Sequence, residues 1–187
     1  MTDIVVVVDA QNSFCHPDGV STKRFAKTEK KLCELQQTIA RLKLFLEKAR
    51  VRNIPVVYLC ANKNTKNVAL WNLQIHNDLS PRKNDEVFWR NEPWDYGALN
   101  KTVHSLLERF ADPHFFLCGF YANKCVAAVA MHFVERGIPI SIIADCVYPS
   151  LTKRMETWYT GYIARKWPKP IDINLISFET SAAHSAE

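Results

Sequence analysis

Two residues far apart in the chain have types and settings that suit acyl-transfer chemistry. Cys125 lies in FFLCGFYANKCVAAVAMHFVERG (115–137), where a hydrophobic run passes through Gly119 into a small-residue helix pattern. That places the thiol in the first helical turn. A thiol attacks as thiolate, and free backbone N–H groups at the positive end of a helix favour that form. The same N–H groups are positioned to hold a tetrahedral oxyanion. Asp9 closes a run of four valines, and a carboxylate where a strand opens into a crevice suits a general base toward a thiol. Each residue alone also has a structural reading: a cysteine packs as a small hydrophobe, and an acid caps a loop amide. Cys33, Cys60, Cys118 and Cys146 fall inside strand or helix patterns, or at a strand end, and take the packing reading. The pairing of Asp9 with Cys125 is what points to chemistry.

The elements that must bring them together are legible from periodicity. Residues 4–8 form a continuous β-branched run, the pattern of a strand buried on both faces. Residues 28–51 carry Leu32, Leu35, Ile39, Leu42, Leu46 and Ala49 at steps of three and four, a long amphipathic helix. Strands are predicted at 54–59, 86–90, 114–118, 138–144 (ending at Asp145) and 173–176, and helices at 98–110, 123–136 and 154–164. The polar, irregular stretch 60–85 is long for a connection and is a candidate functional loop. Strands alternating with helices imply right-handed crossovers and a three-layer α/β/α fold around a central, mainly parallel sheet. Ligands of such sheets bind beyond the carboxyl ends of the strands. Asp9, Arg90 and the loop from Gly119 to Cys125 all lie at such ends.

Composition bounds the class. At 187 residues and 48% hydrophobic, the chain fits one domain, taken as residues 1–180, with 181–187 a disordered tail. The net charge of +5 is scattered, with no basic block and no aromatic-basic repeat, which argues against nucleic-acid binding. The apolar start MTDIVVVVDAQ lacks the length and basic flank of a signal peptide, and no run approaches a membrane span. Six cysteines without a CxxC pair or nearby histidines form neither a disulfide framework nor a zinc site, and point to a cytoplasmic chain with reduced thiols.

VVVVDAQNSF at 5–14, the spacing to a short strand at 86–90, and CGFYANKCVAAVAMHFVERGIPISIIADCV at 118–147 resemble the isochorismatase-like cysteine hydrolases. The resemblance covers nearly the whole chain. Its most specific element is Gly119, five residues, then Cys125-Val126, a helix, Gly137 and a strand toward Asp145. It implies a catalytic Asp, Lys and Cys set, with Asp9 as base and Cys125 as nucleophile. It implies cleavage of a C–N bond in a small amide, imide or carbamoyl compound through a covalent acyl-enzyme. It also implies a cis peptide at Phe120-Tyr121, with the Tyr121 and Cys125 amides as oxyanion donors, and a homodimer or homotetramer.

The chain departs from the family pattern in two places. The lysine is replaced: counting forward from Asp85 its position is Arg90, and counting back from Trp94 and Leu99 it is Phe88. These two share one face of a strand, since side chains alternate with period two. Arg90 can therefore supply charge where the lysine would sit, although a guanidinium does not give up a proton. Its structural reading is a surface ion pair, and Lys83 and Lys63 are fallback cations. The second departure is at CANKNTKN, where metal-binding relatives carry Asp-x-His; His76 reads as an ordinary loop residue, and neither metal nor cofactor is expected. Phe14, Trp71, Trp89, Trp94, Phe120 and Tyr121 are candidates to wall a pocket for a small ring-bearing substrate. Two other activities stay open: vinyl-ether hydrolysis with Asp9 as proton donor and Cys125 dispensable, and a non-catalytic binding or assembly protein of the same fold.

Overall fold

A computed structural model of the chain describes residues 2–62, 69–91 and 95–148. The helix and strand expected at 154–164 and 173–176, and the tail, lie outside the described residues.

Five strands form one wholly parallel sheet in the order β3-β2-β1-β4-β5: β1 Thr2–Val8, β2 Val56–Ala61, β3 Glu86–Arg90, β4 Pro113–Phe120 and β5 Ile140–Tyr148. The β-branched run of β1 is buried on both faces, as its lack of alternation requires. Val5 and Val7 join a core with Leu35, Leu42 and Leu46 of the long helix α3 (Glu29–Val51). Ile4, Val6 and Val8 join the opposite core with Leu99, Val103 and Leu106 of α5 (Tyr96–Arg109), and with Val129 and Phe133 of α6 (Ala127–Val134). Two apolar layers, one on each face, make the three-layer sandwich. Thr28 caps α3 by accepting from the Lys31 N–H, and Asp95 caps α5 by accepting from that of Ala98, which fixes where both helices start.

Three expectations need correcting. The loop 60–85 is not wholly irregular: its described part holds the short helix α4 (Leu70–Leu73) and a 3-10 turn at Asn77–Leu79. Two short helices, α1 (Asn12–Cys15) and α2 (Val20–Phe25), follow β1 unannounced, being too brief to show a helical period. The fifth strand does not end at Asp145 but runs on to Tyr148, its register against β4 shifting between Leu117 and Gly119. No helix among the described residues is long and apolar enough to cross a membrane.

The chain lays β1, β2 and β3 outward in one direction, then returns to place β4 on the other side of β1. The carboxyl ends of β1 and β4 therefore flank the point where strand order reverses, and there the connecting segments diverge and leave a crevice.

Candidate active site

Asp9 is the first residue past β1. Its backbone is left-handed, with φ of 52°, a conformation aspartate tolerates better than most residues, and its N–H donates to the Leu59 carbonyl at 2.9 Å. The turn is thus anchored to β2. On the other side, Val8 lies opposite Gly119 of β4. A Cβ on Gly119 would stand 2.1 Å from the Val8 carbonyl oxygen, and its φ of 117° is one that side chains rarely adopt, so only glycine lets the two strand ends approach. One residue further on, the Phe120-Tyr121 peptide bond is cis, as the resemblance implies. The chain then enters one wide π turn, Ala122–Val126, that runs into α6. The Tyr121 carbonyl accepts from the N–H groups of Lys124 (3.0 Å) and Val126 (3.2 Å), the neighbours of Cys125 on either side.

Arg90 closes the set. Its Nη2 donates to Asp9 Oδ2 at 2.8 Å, with the side chains 1% and 0% exposed. Phe88 is half-buried and packs in the layer under α5 and α6, so of the two residues competing for the lysine position it is Arg90 that brings charge to Asp9. The surface ion pair considered for Arg90 is replaced by a buried one. Cys125, 6% exposed, interacts electrostatically with both partners.

Burial raises the Asp9 carboxyl above the usual carboxylate range, and Arg90 opposes that rise. Burial, reinforced by the negative charge of Asp9, pushes the Cys125 thiol up to about 12, and the Arg90 guanidinium opposes it. This corrects the expectation that the first-turn position favours thiolate. Removing a sulfur anion from water beside a carboxylate outweighs the dipole of one turn. At rest the site is a neutral thiol beside a buried ion pair, and Asp9 is a better proton acceptor than an exposed aspartate.

The aromatic residues divide. Phe14 is half-buried and meets the Tyr121 ring edge-on at 6.0 Å; Tyr121 also meets Phe25 (5.6 Å) and Tyr148 (5.9 Å) edge-on. Phe120 is no pocket wall, being fully buried in the core against α3. Trp89 is half-exposed and, by alternation along β3, points to the face opposite Arg90. Trp71 packs edge-on against His16 at 4.9 Å. Trp94 and Lys63 lie outside the described residues. Lys83 precedes β3, at the opposite end of that strand from Arg90, in a cleft shared with Arg50 and Asp85.

Gln11 escaped sequence reasoning. It is fully buried, its Nε2 donating to the carbonyls of Ala61 (2.9 Å) and Leu73 (2.7 Å) and its Oε1 accepting from the Ala61 N–H (2.8 Å). It ties the loop after β2 to the strand end that carries Asp9. Its one signal in the sequence is its position two residues after Asp9. His76 accepts at Nδ1 from the Asp78 N–H at 3.3 Å, and no cluster of three metal-ligating side chains occurs among the described residues.

Comparison with known proteins assigns this fold to a family. Residues 3–158 match the model of the isochorismatase domain. The secreted isochorismatase effector Isc1 of Verticillium dahliae is 23% identical over 150 residues, covering 77% of this chain and 71% of that protein. A cysteine hydrolase from Pseudomonas syringae superposes with a TM-score of 0.68 at 16% identity, over 92% of this chain and 89% of that one. N-carbamoylsarcosine amidase from Thermoplasma acidophilum does so with a TM-score of 0.63 at 20% identity, over 87% and 92%. With the domain model spanning most of its length and the parallel sheet in place, the chain belongs to the isochorismatase family of hydrolases.

Proposed function

We propose that the protein is a cysteine hydrolase that cleaves the C–N bond of a small amide. The observation that carries this reading is the buried Asp9–Arg90 pair set against the Cys125 thiol. Asp9 takes the thiol proton as the sulfur attacks the carbonyl carbon; a C–S bond forms and the carbonyl electron pair moves onto oxygen. The backbone N–H groups of Tyr121 and Cys125 receive that oxyanion. Collapse breaks the C–N bond, and Asp9 returns the proton to the departing nitrogen, leaving a thioester. Water then gives its proton to Asp9, attacks the thioester and releases the acid and the thiol.

The raised affinity of Asp9 for a proton suits it to both halves of this cycle, since it must hold the proton between thiol and leaving group. Arg90 contributes fixed positive charge as sulfur and oxygen become anionic, and Asp9 is the sole proton carrier of the pair. Structural relatives bearing the names cysteine hydrolase and N-carbamoylsarcosine amidase support this class of reaction. The test is hydrolysis of a panel of small primary amides, ureas and carbamoyl compounds. Turnover lost in Cys125→Ala and Asp9→Asn supports the reading; turnover unchanged in Cys125→Ala sinks it.

The neutral resting thiol and the proton-binding tendency of Asp9 also favour a second reading, in which Asp9 protonates a vinyl ether and Cys125 is a bystander. That reading requires Cys125→Ala to keep full activity while Asp9→Asn loses it.

A further inference from the structure

Arg90 uses little of its hydrogen-bonding capacity. A guanidinium carries five N–H groups, and the bond to Asp9 is made by Nη2. The Cys125 thiol lies against the guanidinium, and Nε and Nη1 are buried with no nitrogen or oxygen acceptor among the described residues. A buried, unsatisfied polar group is costly, and several on one fully buried cation mark a place where a partner belongs. The guanidinium lies beside Cys125 and Asp9, so a group received there sits within one small molecule's length of the thiol.

The chemistry of the unbonded edge selects the group. With one Nη2 N–H given to Asp9, the other forms with the nitrogen on its side a planar two-donor fork that matches the two oxygens of a carboxylate. A lysine at this position would present a point charge without such a fork. The net charge of +5 also favours the approach of an anion.

We propose that Arg90 receives a carboxylate of the substrate, so that the molecule cleaved is a small acid amide bearing a carboxylate beside the scissile amide. This rests on the cysteine-hydrolase reading of the same site and narrows its substrate class. Asp9 becomes neutral as it takes the thiol proton, which frees the guanidinium to balance the substrate carboxylate and the forming anion together.

The test needs no substrate. Iodoacetate and iodoacetamide alkylate a thiolate by the same displacement: the C–S bond forms, the C–I bond breaks and iodide leaves. One reagent carries a carboxylate where the other carries a neutral amide. The ratio of their rates at Cys125, read by peptide mass spectrometry at pH 9, therefore cancels the thiol pKa. The exposed Cys33 of the same chain gives the reference ratio. The expected result is an iodoacetate preference at Cys125 about tenfold or more above that at Cys33. Arg90→Lys, which keeps the charge and loses the fork, reduces it several-fold, and Arg90→Met abolishes it. A ratio at Cys125 equal to that at Cys33 in the unaltered protein overturns the carboxylate inference, as expected if water alone fills the unbonded edge. It leaves the hydrolase reading standing as long as both reagents modify Cys125 faster than the buried Cys118. Modification no faster than at Cys118 by either reagent overturns both.

Discussion

Asp9 and Arg90, 81 residues apart, form an ion pair of 2.8 Å from which solvent is shut out on both sides. Breaking such a pair from one side strands a charge in the interior, whereas removing both halves does not. Arg90→Met is therefore expected to lower the free energy of unfolding by about 3–5 kcal/mol in urea denaturation. Adding Asp9→Asn should recover a large part of that loss. Additive effects of the two substitutions would show that the pair is not coupled.

The raised thiol pKa sets a pH dependence. With the Cys125 thiol pushed up to about 12, its alkylation by iodoacetamide should rise about tenfold per pH unit between pH 7 and 10. It should not level off near 8.5 as a free thiol does. Asp9 raises the thiol pKa, so Asp9→Asn should alkylate faster than the unaltered protein at pH 8. Under the proposed mechanism the same variant should lose amide turnover by about 10²-fold or more, because that mechanism needs Asp9 as proton acceptor. Alkylation slowed by Asp9→Asn would contradict the electrostatic account of the site.

Gly119→Ala tests the approach of the two strand ends. A methyl group there meets the Val8 backbone at 2.1 Å and fixes an unfavourable φ. Overpacking and backbone strain together are expected to cost about 3 kcal/mol or more, read as a lowered Tm. An unchanged Tm would mean that β1 and β4 are not held this closely.

Gln11→Leu tests the loop anchor. It leaves the Ala61 N–H and the Ala61 and Leu73 carbonyls without the amide side chain that joins them. Stability should fall by about 2–3 kcal/mol. Amide exchange at His76, whose N–H donates to the Ala10 carbonyl, should accelerate more than exchange in α3. Uniform acceleration would assign Gln11 a general packing role.

Much of this was legible before the structure, and the division has physical reasons. The valine run of β1, the stripe of α3 and the strand Glu86–Arg90 announce themselves because burial imposes period or continuity on sequence. Asp9, Arg90 and Cys125 come together because parallel strands place their carboxyl ends on one edge. The choice between Arg90 and Phe88 was not legible, since both occupy one face of β3 and only three-dimensional distance separates them. The charge state of Cys125 is not legible, because a dipole argument sees one turn while desolvation depends on everything packed around the thiol. Aromatic type does not reveal facing, which is why Phe120 and Trp89 pass for pocket walls in the sequence, and Gln11 is silent there because its bonds reach segments 50 and 62 residues away.

Asp9 follows β1 and Cys125 lies in the turn after β4, the strand beside β1 in the sheet, whereas Arg90 arrives on β3, the outermost described strand on its side. Asp9 and Cys125 are consequently locked to one another by the architecture, and neither can shift without disturbing the interior. Arg90 is as buried as they are, but its strand stands at the margin of the described sheet. With the carboxylate role proposed for Arg90, the strand at the margin of the sheet would set what the site recognises, while the two inner strand ends keep Asp9 and Cys125 in place.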